Sequence, residues 1–144
     1  MKTWKILMLS PTSKEKVWYL DDVKILIKNS DEKLLAAKTL FENGFYGDAV
    51  SRAYYAMFFA SRALLSKKDN HPGTHRDLIS QFGLLFVKEG EFKKELFDLL
   101  TRAQEDREEA DYGLFLELDK EEALIIIKGA ELFLEECKLI LSNL

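Results

Sequence analysis

The sequence predicts an all-α domain built around one helix near Tyr46–Ser66. Three observations carry that expectation. Only 7 Gly and 2 Pro interrupt 144 residues, so the elements are long, and long elements in a globular chain are usually helices. Apolar residues recur at helical spacing between cap signals. And the stretch Tyr46–Ser66 is apolar on almost every side, as a helix at the centre of a fold must be.

The elements follow in order. Residues 1–19 form an N-terminal extension, and 20–144 the helical domain. The start, Met1-Lys2-Thr3-Trp4-Lys5-Ile6-Leu7-Met8-Leu9, is too short an apolar run for a membrane span or a signal peptide. It is expected to pack as a strand or short helix. A first helix spans about Leu20 to Asn43, with Leu26, Ile27, Ser30, Leu34, Ala37 and Phe41 on one stripe. Ser30 or Asp31 can cap a second segment, which allows a break near Asn29-Ser30-Asp31. Gly44 is placed for a left-handed C-cap.

The second helix is the apolar one. Val50, Ala53, Tyr54, Ala56, Met57, Phe58, Ala60, Ala63, Leu64 and Leu65 cover most of its circumference. A narrow strip remains for polar groups: Asp48, Arg52, Tyr55, Phe59, Arg62, Ser66. After a loop, Thr74-His75-Arg76-Asp77 reads as a capping box opening a third helix that ends near Val87. A fourth covers about Glu91 to Ala110, with Leu96, Leu99, Leu100 and Ala103 inward. Tyr112 to Phe115 is a connector. Asp119 and Glu122 cap the fifth helix, about Lys120 to Ser142. Its inner face is Ala123, Leu124, Ile127, Ala130, Leu134, Cys137 and Leu141.

Composition narrows the function. A net charge of −4 provides no global cationic field for nucleic acid, so such a role needs a local basic patch. One cysteine and two histidines give neither a disulfide framework nor zinc-ligand spacing. No metal and no cofactor is expected, and the compartment reads as cytoplasmic, with no membrane association.

Three constellations can carry chemistry. Continuing the apolar register of the fourth helix leads to Arg107 and Asp111, four apart on one face. As a surface pair they would add only a few tenths of a kcal/mol, about 0.3–0.5; as a half-buried pair they need good satisfaction. Both a structural and a functional reading are open. His75 and Arg76 sit at a helix start, where free N–H groups favour an anion, although an ordinary capped helix explains them too. Arg52, Tyr55 and Arg62 form either a solvated or dimer-facing edge, or a basic-aromatic surface for a phosphate.

The run Ser51-Arg52-Ala53-Tyr54-Tyr55-Ala56-Met57-Phe58-Phe59-Ala60-Ser61-Arg62-Ala63-Leu64-Leu65 resembles the signature helix of HEPN-domain proteins. So does its approach, Ala36 to Tyr46. Gly73-Thr74-His75, the segment Phe82 to Gly90, and Arg107 through Tyr112 are similar to the small prokaryotic UPF0332 subgroup. The resemblance covers about Asp31 to the C-terminus. It implies an up-and-down bundle of four to five helices that often forms homodimers. It also implies a toxin–antitoxin setting with a minimal nucleotidyltransferase as partner, or a metal-independent ribonuclease with an Arg-x(4–6)-His motif.

Here Arg107 supplies the arginine, but no histidine follows. Asp111 and Tyr112 stand near its place. An unperturbed aspartate, with a pKa of about 3.9 against about 6.5 for histidine, is a poor acid near neutral pH.

The leading expectation is therefore a module that binds a nucleotide or RNA phosphate. Arg52, Tyr55, His75, Arg76, Arg107, Asp111 and Tyr112 are its candidate ligand residues. The alternative is a ribonuclease toxin with Arg107 and His75 as the catalytic pair. A further alternative is a helical scaffold without a ligand.

Overall fold

The computed structural model describes residues 22–112 and 118–143. The expected N-terminal extension and most of the connector after Tyr112 lie outside those residues. Five helices appear, with no strand among the described residues: α1 (Val23–Glu42), α2 (Tyr46–Lys67), α3 (His75–Phe82), α4 (Lys94–Tyr112) and α5 (Lys120–Ser142). They form the expected all-α, up-and-down bundle. α2 is its axis, packed against α1, α4, α5 and the short α3.

Caps set the boundaries. Asp22 accepts from the backbone N–H of Lys24 and Ile25 and so caps α1 at Val23; the expected start near Leu20 lies outside the described residues. It then runs unbroken through Ser30. That residue is fully buried, and its hydroxyl donates to the Leu26 carbonyl at 3.0 Å, which satisfies it within the helix instead of freeing it to cap a new one. α1 ends where Gly44 adopts φ 83°, Phe45 N–H bonds Leu40 O and Gly44 N–H bonds Phe41 O. These are the two bonds of a Schellman stop.

The same closure ends α2, but with Asp69 at φ 55° in the glycine position. Thr74 Oγ1 accepts from Asp77 N–H at 3.0 Å and Asp119 Oδ1 from Glu122 N–H at 2.8 Å, so both anticipated N-caps form. α3 does not stay α-helical to Val87: Gly83–Val87 winds as a π-helical turn. A Cβ on Gly83 would stand 3.0 Å from the Phe97 ring, so the glycine lets that ring close on the turn.

Burial on α2 explains its composition. All ten apolar residues anticipated as its circumference are buried, and Ala49 and Ser61 join them. Burying each large side chain contributes roughly 1.5–3 kcal/mol, so this helix dominates the core. On α5 the anticipated inner face needs one correction. Leu124 is 41% exposed, while Ile126 and Phe133 are fully buried. The packed face of α5 is wider than one stripe because α5 contacts α1, α2 and α4 together.

Candidate functional site

The site begins with a buried phenol. Tyr54 lies on the covered side of α2 and is fully buried. A phenol there fits the core only if its hydroxyl finds a partner. It finds His75, the first residue of α3, whose Nδ1 is 2.7 Å from the Tyr54 oxygen. The imidazole is stacked on the Phe58 ring at a centroid distance of 4.3 Å and meets the Tyr55 ring edge-on at 5.8 Å. Tyr54, Tyr55 and Phe58 of α2 therefore make the bed for one histidine.

Arg107 reaches the same bed from α4. Its guanidinium carbon is 5.2 Å from the Tyr54 ring centroid and 5.6 Å from that of Tyr55, within cation–π range. One end of the guanidinium pairs with Asp111 Oδ2 at 2.9 Å, and its Nε donates to Gln104 Oε1 at 3.1 Å. The side chain is 16% exposed against 49% for Asp111, so the arginine is held while its carboxylate partner faces water. Ser51 of α2 donates to the other Asp111 oxygen at 3.4 Å.

The local field acts on both titratable rings. Burial pushes the Tyr54 phenol far above its ordinary value, so it stays protonated. Burial, then the positive charges of Arg107 and Arg62, lower the His75 pKa, with Glu108 opposing them. His75 is thus neutral at pH 7. A neutral imidazole beside a fixed guanidinium offers polar contacts to an anion without a second buried charge.

The structure brings together four residues singled out in the sequence: Tyr55, His75, Arg107 and Asp111. Arg52 and Arg76 are exposed and are not among the side chains touching this group. Tyr112 closes α4 with 74% of its surface exposed. Tyr54, Phe58 and Gln104 are additional members that sequence reasoning placed in the core or passed over. A tyrosine at an otherwise fully apolar position was the available signal, because a buried hydroxyl demands a partner. Among the described residues no group of three His, Cys, Asp or Glu could hold a metal ion. No described helix is long and apolar enough to cross a membrane.

The HEPN-domain family model matches residues 23–140, which takes in all five helices except the end of α5. The chain belongs to the HEPN domain family. This HEPN chain is 42% identical over 118 residues to a protein of Methanocaldococcus jannaschii named "Putative toxin", covering 82% of the chain and 87% of that relative. A second protein of the same name and organism is 35% identical over 120 residues, covering 83% and 82%. A "UPF0332 protein" of Archaeoglobus fulgidus is 34% identical over 119 residues, covering 83% and 94%. The chain is therefore a HEPN domain of the UPF0332 type.

Proposed function

We propose that this HEPN chain is the toxin-type member of a two-component system and binds a nucleotide or RNA phosphate between Arg107 and His75. One observation carries the reading: the guanidinium and the imidazole rest on the same Tyr54 side chain, one over its ring and one at its hydroxyl. Arg107 is pre-organised by Asp111 and Gln104, so little rotamer freedom is lost when an anion takes the remaining N–H groups. Asp111 pairs with the guanidinium and is exposed enough to yield to a phosphate oxygen. Tyr55 lines the floor. Arg52, Arg76 and Tyr112 are exposed, and on this reading they would meet the longer backbone of an RNA rather than the phosphate itself. The toxin-named relatives support a protein partner of antitoxin type, and the family resemblance points to a minimal nucleotidyltransferase and to a homodimer.

Calorimetric titration of the full chain with mononucleotides and a short single-stranded RNA tests this. Binding should weaken with salt, as phosphate contacts do. Arg107→Ala should lower affinity by about 10–100-fold, the equivalent of a charge-assisted hydrogen-bond set of roughly 1.5–3 kcal/mol. Absence of saturable binding to every nucleotide and RNA tried contradicts the reading.

A metal-independent ribonuclease is the second reading. It draws on the same closeness, with neutral His75 as base on the 2′-hydroxyl and Arg107 stabilising the charge that develops. It predicts RNA cleavage in EDTA that disappears in both Arg107→Ala and His75→Ala.

A further inference from the structure

We propose that the Tyr54 hydroxyl fixes His75 in its Nε2–H tautomer, so that the site presents a neutral hydrogen-bond donor to an oxyanion and no basic ring nitrogen. The inference deepens the phosphate-binding reading and rests on it for the identity of the ligand, but not for the tautomer itself.

The argument is one of donors and acceptors. The Tyr54 side chain is fully buried, and its oxygen lies 2.7 Å from His75 Nδ1. A buried hydroxyl proton without an acceptor forfeits its hydrogen bond with water and regains nothing. A neutral imidazole has one donor nitrogen and one acceptor nitrogen. Nδ1 serves the phenol as acceptor only if the ring proton is on Nε2. The opposite tautomer would aim Nδ1–H at the phenol oxygen and strand the phenol proton in the core. Turning the ring over within its Phe58 stack would set a carbon against the hydroxyl and lose the bond altogether.

Protonating both nitrogens strands the phenol proton too. It also adds a cation facing Arg107 from α4 and Arg62 from α2, with Glu108 of α4 as the opposing charge. Tyr54 therefore acts on His75 as a positioning residue, and it also carries Arg107 over its ring.

The consequence separates the two functional readings. A ring with Nε2–H gives an anion a donor, which complements the N–H groups of Arg107 and suits a fully ionised phosphate oxygen. It has no free lone pair to take a proton from a 2′-hydroxyl, because Nδ1 is occupied by Tyr54. This arrangement favours binding over base catalysis.

Long-range 1H–15N NMR of the full chain, ligand-free and above the His75 titration, reads the tautomer directly. His75 should show a protonated Nε2 and an unprotonated Nδ1. In Tyr54→Phe the ring should become a mixture of tautomers and its pKa should rise. Affinity for the RNA that binds wild type should fall by about 3–10-fold, the worth of one hydrogen bond. A protonated Nδ1 in wild type, or an unchanged tautomer in Tyr54→Phe, overturns the proposal. Should the variant not fold, the wild-type spectrum decides alone. Because the spectra need no ligand, a protein with the Nε2–H tautomer and no RNA binding would sink the phosphate reading and leave the tautomer standing.

Discussion

Helix α4 carries two arginine–carboxylate groups five residues apart, and they face different neighbours. Arg102 points to α5. It makes a two-pronged contact with Glu122, one prong being Nε to Oε2 at 2.8 Å, beside a second carboxylate, Asp106. Arg107 points to α2, where it has one carboxylate from its own helix, one amide and two aromatic faces. The first group joins two helices and has acid to spare. The second pairs with one carboxylate, Asp111, which is shared with solvent, and has a neutral histidine on the same floor. Identical residue types thus fasten the bundle at one place and, on the proposed reading, hold a cation for an external anion at the other. Sequence spacing alone cannot separate the two, because the deciding partners lie on other helices.

The foundations of the two groups should differ most. Tyr54→Ala removes the floor under Arg107 and opens a cavity in the core, with an expected loss of about 3–5 kcal/mol in chemical denaturation. Arg102→Ala, at a rim where the arginine is 48% exposed, should cost only about 0.5–1 kcal/mol. A larger loss for Arg102→Ala than for Tyr54→Ala would break the comparison.

A smaller effect sharpens the Arg102 side. Burial first, then the neighbouring Glu122, push the Asp106 carboxyl up to about 7, while Arg102 opposes the rise. Arg102, then Asp106, hold Glu122 below the usual carboxylate range. The sign for Asp106 follows from its raised folded value. Its stabilisation is complete below the unfolded value of 3.8 and is lost as pH rises through about 7. Asp106→Asn keeps the uncharged form at all pH. Thermal melts should show the variant about equal to wild type only below the unfolded value of 3.8, with its advantage growing as pH rises toward 7. Above pH 7 it should be more stable, by a few tenths to about 1 kcal/mol at this half-buried position. A variant that is less stable at pH 8 would contradict the assignment.

Much of the fold was legible because it rests on local signals. Thr74, Asp119 and Gly44 act as caps within their own segments, and the apolar circumference of α2 needs no partner to be recognised. Where an outcome depended on neighbours, the sequence was a weaker guide. Ser30 suited both the inner stripe and a cap, and only its buried bond to Leu26 decides for the stripe; Leu124 faces water because the packed face of α5 centres on Ile126, Ala130 and Phe133.

The site divides the same way. Arg107 and Asp111 follow from register along one helix. Their meeting with His75 depends on α3 and α4 both docking on α2. Tyr54 was legible as core but not as a partner, since nothing in one chain's order says which polar atom will reach its hydroxyl.

The central claim is that the Arg107 group is an anion site and the Arg102 group is not. The direct test is a pair of calorimetric titrations with one short RNA at one salt concentration. Arg107→Ala should bind about 10–100-fold more weakly than wild type, and Arg102→Ala should bind with wild-type affinity. Equal losses in the two variants, or undiminished binding in Arg107→Ala, would contradict the account.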